Sequence, residues 1–363
     1  MKTVNILIVE DDEKDLKDWK TAINRHNVSS AAKGYCFNFH VDYASSLAEA
    51  LDKFTQYKFS VAIVDIRLED TPENHYKNTD GIDVVRKLMS CSTALVTIYT
   101  GQKKDAEASI DSRQQEFIKI INKSEVSKQD LLKRLVTEND KIINSILEIK
   151  EKFSSDMAAL FYDSIWPRWK YWISDTNKDT QETQLALHRH MATHLHATHQ
   201  NISDVAHPEE YYFIPPLNPK LDTGDILKLD EQLYIIVSAR CDLARGENET
   251  FHLVKLECMQ QHWKELHENG SKSAKGKIKT INDHSKSPKK HFIPQIKMSE
   301  TQLLGPFFAN FNWIRCEENS AEKTSEFLEY RIASLSNEFV PSLVDRLGTY
   351  FGRMGDPDYP KPV

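Results

Sequence analysis

No run of apolar residues in this 363-residue chain approaches the ~20 needed to cross a bilayer, which excludes a helical membrane span. The start, MKTVNILIVEDDE, passes from one lysine straight into a short β-type run and then into acids. That is not the pattern of a signal peptide, so a cytoplasmic protein with no membrane partner is expected. Cysteine is scarce: Cys36, Cys91, Cys241, Cys258 and Cys316 are odd in number, far apart and never in a CxxC. This excludes a disulfide framework and a zinc knuckle, and predicts reduced, mostly buried thiols. A general excess of positive charge is also lacking, since the formal net charge is −7. The charge is unevenly spread: residues 271–297 hold eight Lys and one Asp, net +7, which leaves −14 on the rest. One basic, apolar-poor segment on an acidic body predicts a mobile loop, solvated or able to hold phosphate backbones in a salt-dependent way.

What is present points to a soluble chain of two or three domains, 40% apolar and 28% charged. Over the first 125 residues, short β-rich runs (4–9, 37–44, 60–66, 94–100, 117–122) alternate with amphipathic or polar helical stretches near 13–26, 45–56, 81–90 and 103–113. Another helix follows from about 127. Runs this apolar imply strands covered on both faces, hence an α/β unit built on a five-stranded parallel sheet. Such sheets carry their chemistry at the carboxyl ends of the strands. There the sequence puts Glu10, Asp11 and Asp12 after strand one, Asp65 after strand three, Thr100 at the end of strand four and Lys123 after strand five. Converging carboxylates repel one another and call for a cation, and oxygen ligands around a partly hydrated hard ion suit Mg²⁺.

This set of residues resembles the receiver (CheY-like) domain of two-component response regulators, over about residues 3–125. The resemblance implies a (βα)5 fold with Asp65 as phosphoacceptor. Asp11 would bind Mg²⁺ directly, Glu10 through water, Asp65 itself and the backbone carbonyl of Arg67 completing the protein ligands. Thr100 would hold a phosphoryl oxygen, and Lys123 would pair with the acceptor or its phosphate. It implies a histidine kinase as partner and no enzyme in the usual sense, only Mg²⁺-dependent self-phosphorylation.

The departures are specific. About nine extra residues lie in NRHNVSSAAKGYC, and EDTPENHYKNTDG lengthens the loop after Asp65. Ile120 stands where the family has an aromatic ring that reports phosphorylation, and Ser124 stands where Pro usually follows the lysine. The chemistry is retained while the readout is altered. That leaves two signalling readings: a regulator acting on an effector protein, or a phosphate sink such as the buffering receiver of the phage-defence system Detocs.

The division expected is 1–125 receiver, 126–210 helical middle and 211–363 a β-barrel-like region with terminal helices. In the middle, residues 127–153 have helix spacing that outruns a receiver's last helix, suiting a homodimer seam, a lever to the next domain or packing on its own chain. SIWPRWKYW should break a helix at Pro167 and bury its aromatics as an inter-domain plug. His188, His190, His194, His196 and His199 fall along an amphipathic helix as rim histidines, with metal chelation by the i, i+4 pair and phosphotransfer as the alternatives. Beyond 211, GDILKLD, QLYIIVSA and FHLVKLECM alternate as short antiparallel strands. SARCDLARGENE, with Cys241 and Asp242, reads as a polar turn. The stretch from KTSEFLEY to YFGRMG reads as one or two amphipathic helices. A nucleic-acid-binding output through 271–297 is the reading from another class.

Overall fold

Alternation of apolar runs and amphipathic helices builds the first of two compact units, residues 1–200 and 201–363, in a computed structural model. The structure describes residues 2–56, 58–68, 80–111, 114–173, 180–200, 206–282 and 288–353. Most of the insertion after Asp65 therefore lies outside the described residues.

The first unit runs β1 (Lys2–Val9), α1 (Glu13–Ser29), β2 (Phe37–Ala44), α2 (Leu47–Gln56), β3 (Val61–Val64), α3 (Asp80–Cys91), β4 (Leu95–Thr100), α4 (Lys103–Ser109), β5 (Lys119–Asn122), α5 (Lys128–Thr137), α6 (Asp140–Leu160), α7 (Trp169–Ile173) and α8 (Thr180–Gln200). The five strands are parallel in the order β2-β1-β3-β4-β5, the doubly wound receiver topology that the sequence predicts. Successive side chains on each strand face opposite sides, so the sheet has two cores. Ile6, Ile8, Ile63 and Tyr99 meet Trp19 and Ile23 of α1 on one face. Leu7, Val64, Val96 and Ile98 meet α2, α3 and α4 on the other.

Residues past 125 belong to the first of these cores: Val126, Leu131, Leu132, Leu135, Val136 and Ile143 are all buried in it. Lys2 reaches Asn144 and Glu148 at 3.1 and 3.3 Å, and the Lys150 ammonium donates to the Phe59 carbonyl. Of the roles suggested for the long helical extension, the first half of α6 takes packing against its own chain.

The insertion before β2 is built rather than loose. The Asn27 amide donates to the Phe39 carbonyl at 2.8 Å and accepts from the Phe39 N–H at 2.9 Å. His26, only 1% exposed, stacks on Tyr35 and Phe39 with ring centroids 5.3 and 4.6 Å away, its Nε2 3.2 Å from the Phe37 carbonyl. Burial, aided by nearby Lys33, holds its pKa below the ordinary 6.5. The unfolded chain therefore takes up a proton on His26 before the folded one does. Stability from this group is full above pH 6.5 and declines as pH falls below it. Denaturant titrations at a series of pH values down to about 5.5 should show a shallower acid-side decline for His26→Gln than for wild type.

Three expectations for the middle and the thiols are corrected. The aromatic segment does not break the helical path at Pro167: α6 ends earlier, at Leu160, and a π turn over Phe161–Ile165, a 3-10 turn carrying Pro167 and then α7 continue in right-handed helical backbone. Its rings are not a buried plug, because Trp166 and Tyr171 are each 55% exposed and the tryptophans stack on one another, Trp166 on Trp169 at 6.0 Å. With so few neighbours, mutual stacking is how these rings shed water. All five cysteines are free and exposed, since they sit at element ends or outward positions rather than on the apolar stripes.

The second unit runs β6 (Tyr212–Phe213), β7 (Asp225–Leu229), β8 (Gln232–Ile236), α9 (Arg240–Arg245), β9 (Thr250–Cys258), α10 (Gln260–Asn269), α11 (Lys272–Asn282), β10 (Lys290–Ile293), β11 (Ile296–Lys297), β12 (Leu303–Leu304), β13 (Phe307–Glu318), α12 (Ala321–Glu329), β14 (Arg331–Leu335) and α13 (Val340–Phe351). Seven strands form a curled antiparallel sheet, a half-barrel, in the order β10-β13-β9-β8-β7-β14-β6. Alternation again gives two packed faces, one closed by Val340 and Leu343 of α13 and the other by Phe327 of α12 and Leu243 of α9. Asp225, fully buried, accepts from Arg331 at 3.0 Å and from the Ser334 hydroxyl, tying β7 to β14.

Three segments differ from expectation here. The basic segment is not a mobile loop over its first part, because Lys272–Asn282 is helical. Ala274, Ile278 and Ile281 recur at helical spacing on its sheltered side, while Lys272, Lys275, Lys277 and Lys279 are exposed. The C-terminal helical stretch is divided by β14, whose RIASL inserts into the sheet between β7 and β6. The polar turn at Cys241 is the short helix α9, ended by Gly246 at φ 71°.

Candidate functional site

Three of the predicted site residues, Glu10, Asp65 and Lys123, stand one step past their strands, held there by ladder hydrogen bonds that continue the sheet. The Asp65 N–H donates to the Val9 carbonyl at 2.9 Å, the Glu10 N–H to Ala44 at 3.0 Å and the Lys123 N–H to Thr100 at 2.9 Å. Rigid β1 and β3 thereby bring Glu10, Asp11 and Asp65 together, with one oxygen from each lying within 4.8 Å of the others. They line an open cleft of about 800 Å³ together with Asp15, Arg67, Gln102 and Lys123.

Lys123 supplies the balancing charge. Its ammonium is 2.7 Å from Glu10, 2.7 Å from Asp65 and 2.8 Å from Asp15. Burial alone would push this amine down, but Asp65 and Glu10 hold it well above the ordinary lysine range. Glu10, whose side chain is only 3% exposed, is pushed up to about 7 by burial, with Lys123 opposing and Asp65 and Asp15 adding to the rise. One Asp65 oxygen accepts from the Ile66 N–H at 2.7 Å and the other faces Lys123.

A hard divalent cation fits this donor set. The donors are all oxygen, and Glu10 Oε1 is buried with no hydrogen-bond partner, an acceptor a cation or its water would satisfy.

Thr100 is the predicted residue missing from this lining. Thr100 is fully buried, its hydroxyl donating to Gln102 Oε1 at 3.1 Å and accepting from the Gln102 N–H at 3.2 Å, and Gln102 lines the cleft in its stead. The Arg67 guanidinium turns to Asp105 at 3.3 Å. Asp12 is the N-cap of α1, accepting from the Asp15 N–H at 2.7 Å. The His cluster lies on α8 as a largely exposed row. His190 and His194 are 4.3 Å apart and His199 is 3.1 Å from Asp156, yet among the described residues only the acidic trio gathers three metal-ligating groups.

Sequence reasoning missed three participants. Asp15 sits at the third position of α1, and the spacing Asp12-x-x-Asp15 that caps the helix was its only signal. Lys128, the first residue of α5, pairs with Asp15 at 2.6 Å. Gly81 packs its backbone on the acceptor's own: a Cβ there would stand 1.9 Å from the Asp65 carbonyl oxygen.

No protein-family model matches the chain, and no curated protein matches it. Solved receiver structures do. A CheY-like response regulator receiver domain protein from Methanospirillum hungatei JF-1 is 20% identical, covering 40% of this chain and 98% of that one, with a TM-score of 0.29. One from Clostridium thermocellum is 22% identical over 41% and 98%, TM-score 0.28. The response regulator domain of Thermotoga maritima CheB is 17% identical over 40% and 98%, TM-score 0.28. These are likenesses to separate receiver domains, none reaching the second unit. The receiver fold of the first unit rests on its own sheet order.

Proposed function

We propose that the chain accepts a phosphoryl group on Asp65 from the phosphohistidine of a histidine kinase, with Mg²⁺ held by Glu10, Asp11, Asp65 and the Arg67 carbonyl. The observation that supports it most is the meeting of three strand-end carboxylates with the Lys123 ammonium in one open cleft. When bound, the cation supplies charge neutralisation on the transferred phosphoryl oxygens.

The remaining work falls to this chain. An Asp65 Oδ attacks phosphorus in line with the leaving group; the new O–P bond makes an acyl phosphate as the P–N bond breaks, and the imidazole leaves with that electron pair and recovers neutrality by proton exchange. The Ile66 N–H holds the carboxylate in one orientation. Lys123 leaves its present acids in part to face the added charge of about −1.5 to −2. Thr100 reaches a phosphoryl oxygen by giving up Gln102.

The test is labelling with radioactive acetyl phosphate, where the P–O bond breaks and acetate departs. Wild type with Mg²⁺ should be labelled, chelation of the cation should abolish the label, and Asp65→Asn should remain unlabelled. Equal labelling of that variant would remove the assignment.

A further inference from the structure

Lys123 divides its ammonium among three acids, and one of them, Asp15, lies outside the strand-end trio. Asp15 faces two lysines at once: Oδ2 accepts from Lys123 at 2.8 Å and Oδ1 from Lys128 at 2.6 Å. Its place on α1 is fixed by the Asp12 cap. Lys128, 14% exposed on its side chain, stands 5.8 Å over the ring of Trp19 and 3.8 Å from Asp18. Trp19 is 1% exposed and meets Tyr99 edge-on at 5.4 Å, and the Tyr99 hydroxyl donates to the Val126 carbonyl at 2.7 Å. A line of alternating charges thus runs from Asp65 through Lys123, Asp15 and Lys128 to an aromatic pair beneath α1 and the start of α5.

Among the described residues, the opposite face of the sheet shows no comparable line. Ile120 packs against the apolar core on that face, and Thr100 is committed to Gln102. Tyr99 and Thr100, adjacent on β4, point to opposite faces. The ring that could report on the site therefore lies on the α1 side.

We propose that Asp15 is a positioning residue that sets where Lys123 sits against Asp65 and passes a gain of charge at Asp65 to Lys128 and the α1/α5 face. This rests on the reading of Asp65 as phosphoacceptor. New negative charge at Asp65 draws Lys123 from Asp15, whose carboxylate then leans on Lys128 alone, and Lys128 moves over Trp19.

The test uses the full chain carrying nitrogen-labelled tryptophan, with beryllium fluoride and Mg²⁺ as the phosphoryl mimic. Fluorine NMR reports loading of the site, and the Trp19 indole signal, assigned through Trp19→Phe, reports the far end. In wild type, loading should shift the indole signal. Asp15→Asn should load and lose the shift, and Asp15→Glu should regain it. Lys128→Met should lose it likewise, and carries the test should Asp15→Asn not fold. Loading with an unmoved Trp19 in wild type, or an undiminished shift in the foldable variants, overturns the inference while leaving Asp65 as acceptor. Absence of any bound fluoride signal in wild type overturns both.

Discussion

Gly81→Ala is expected to destabilise the first unit by about 3 kcal/mol and to strip Asp65 of its labelling by acetyl phosphate. The added methyl would stand 1.9 Å from the Asp65 carbonyl oxygen and 2.6 Å from the Ile66 Cα. Both are backbone atoms, which cannot rotate aside as the tip of a side chain can. The Gly81 N–H also donates to the Ile66 carbonyl at 3.1 Å, so the two segments are in register as well as in contact. Relief would have to come from lifting α3, which carries Ile82, Val84, Val85 and Leu88, all buried on the sheet. The clash is resolved instead at the acceptor, whose carboxylate loses its aim at the cleft. Urea denaturation and the labelling assay on the same preparation check both halves, and a variant that keeps full labelling would show that the Asp65 backbone yields more freely than its neighbours imply.

Lys123→Met should cost about 3 kcal/mol or more in the absence of a divalent cation, because it leaves buried carboxylates without their counter-charge. Glu10 and Asp65 have side chains only 3% and 9% exposed, so water cannot take over. The deficit should depend on pH. Glu10 is already pushed up to about 7 from 4.5 by burial, so folding takes up a proton there and this group's contribution to stability falls as pH rises from 4.5 through 7. Without the ammonium that fall extends to higher pH, and the variant should be weakest on the alkaline side. Added Mg²⁺ should recover part of the loss, by about 2.7 kcal/mol at a hundredfold excess over its dissociation constant. Denaturation midpoints on either side of neutrality, with and without Mg²⁺, measure this. Recovery that is no larger in the variant than in wild type would show that the cation and the ammonium do not answer to the same acids.

The legible parts of this molecule are those in which one residue type in one place has one physical meaning. Runs such as VNILIV and SVAIV can only be strands covered on both sides, and the acid directly after each, Glu10 or Asp65, is set at the cleft where the ladder ends. The parallel sheet and the acidic trio follow. Asp15 was not legible because an acid in the first turn of a helix is ordinary; its double pairing with Lys123 and Lys128 depends on where α5 starts. Gly81 was hidden in a polar insertion rich in turn residues. The helix of the basic segment was masked by its lysines, since three small or apolar residues suffice for the sheltered side. RIASL was overlooked because amphipathic helices flank it on both sides, and a strand of five residues gives a weak period. The tryptophans misled by composition alone, for aromatic rings next to a proline suggest burial unless the neighbours that would bury them are known.

The sheet's last covering comes late in the chain. Strand order places β5 at one edge, yet the core that holds Trp19 and Ile6 on the first face also takes in Leu132, Leu135 and Ile143, which follow Asn122 by up to about twenty residues. At about 5–20 residues per second, a nascent chain spends one to a few seconds with all five strands made and that flank still wet. During synthesis, then, the helices after residue 125 act as a closing clasp, and the interval before they arrive is when this sheet is most open to strangers.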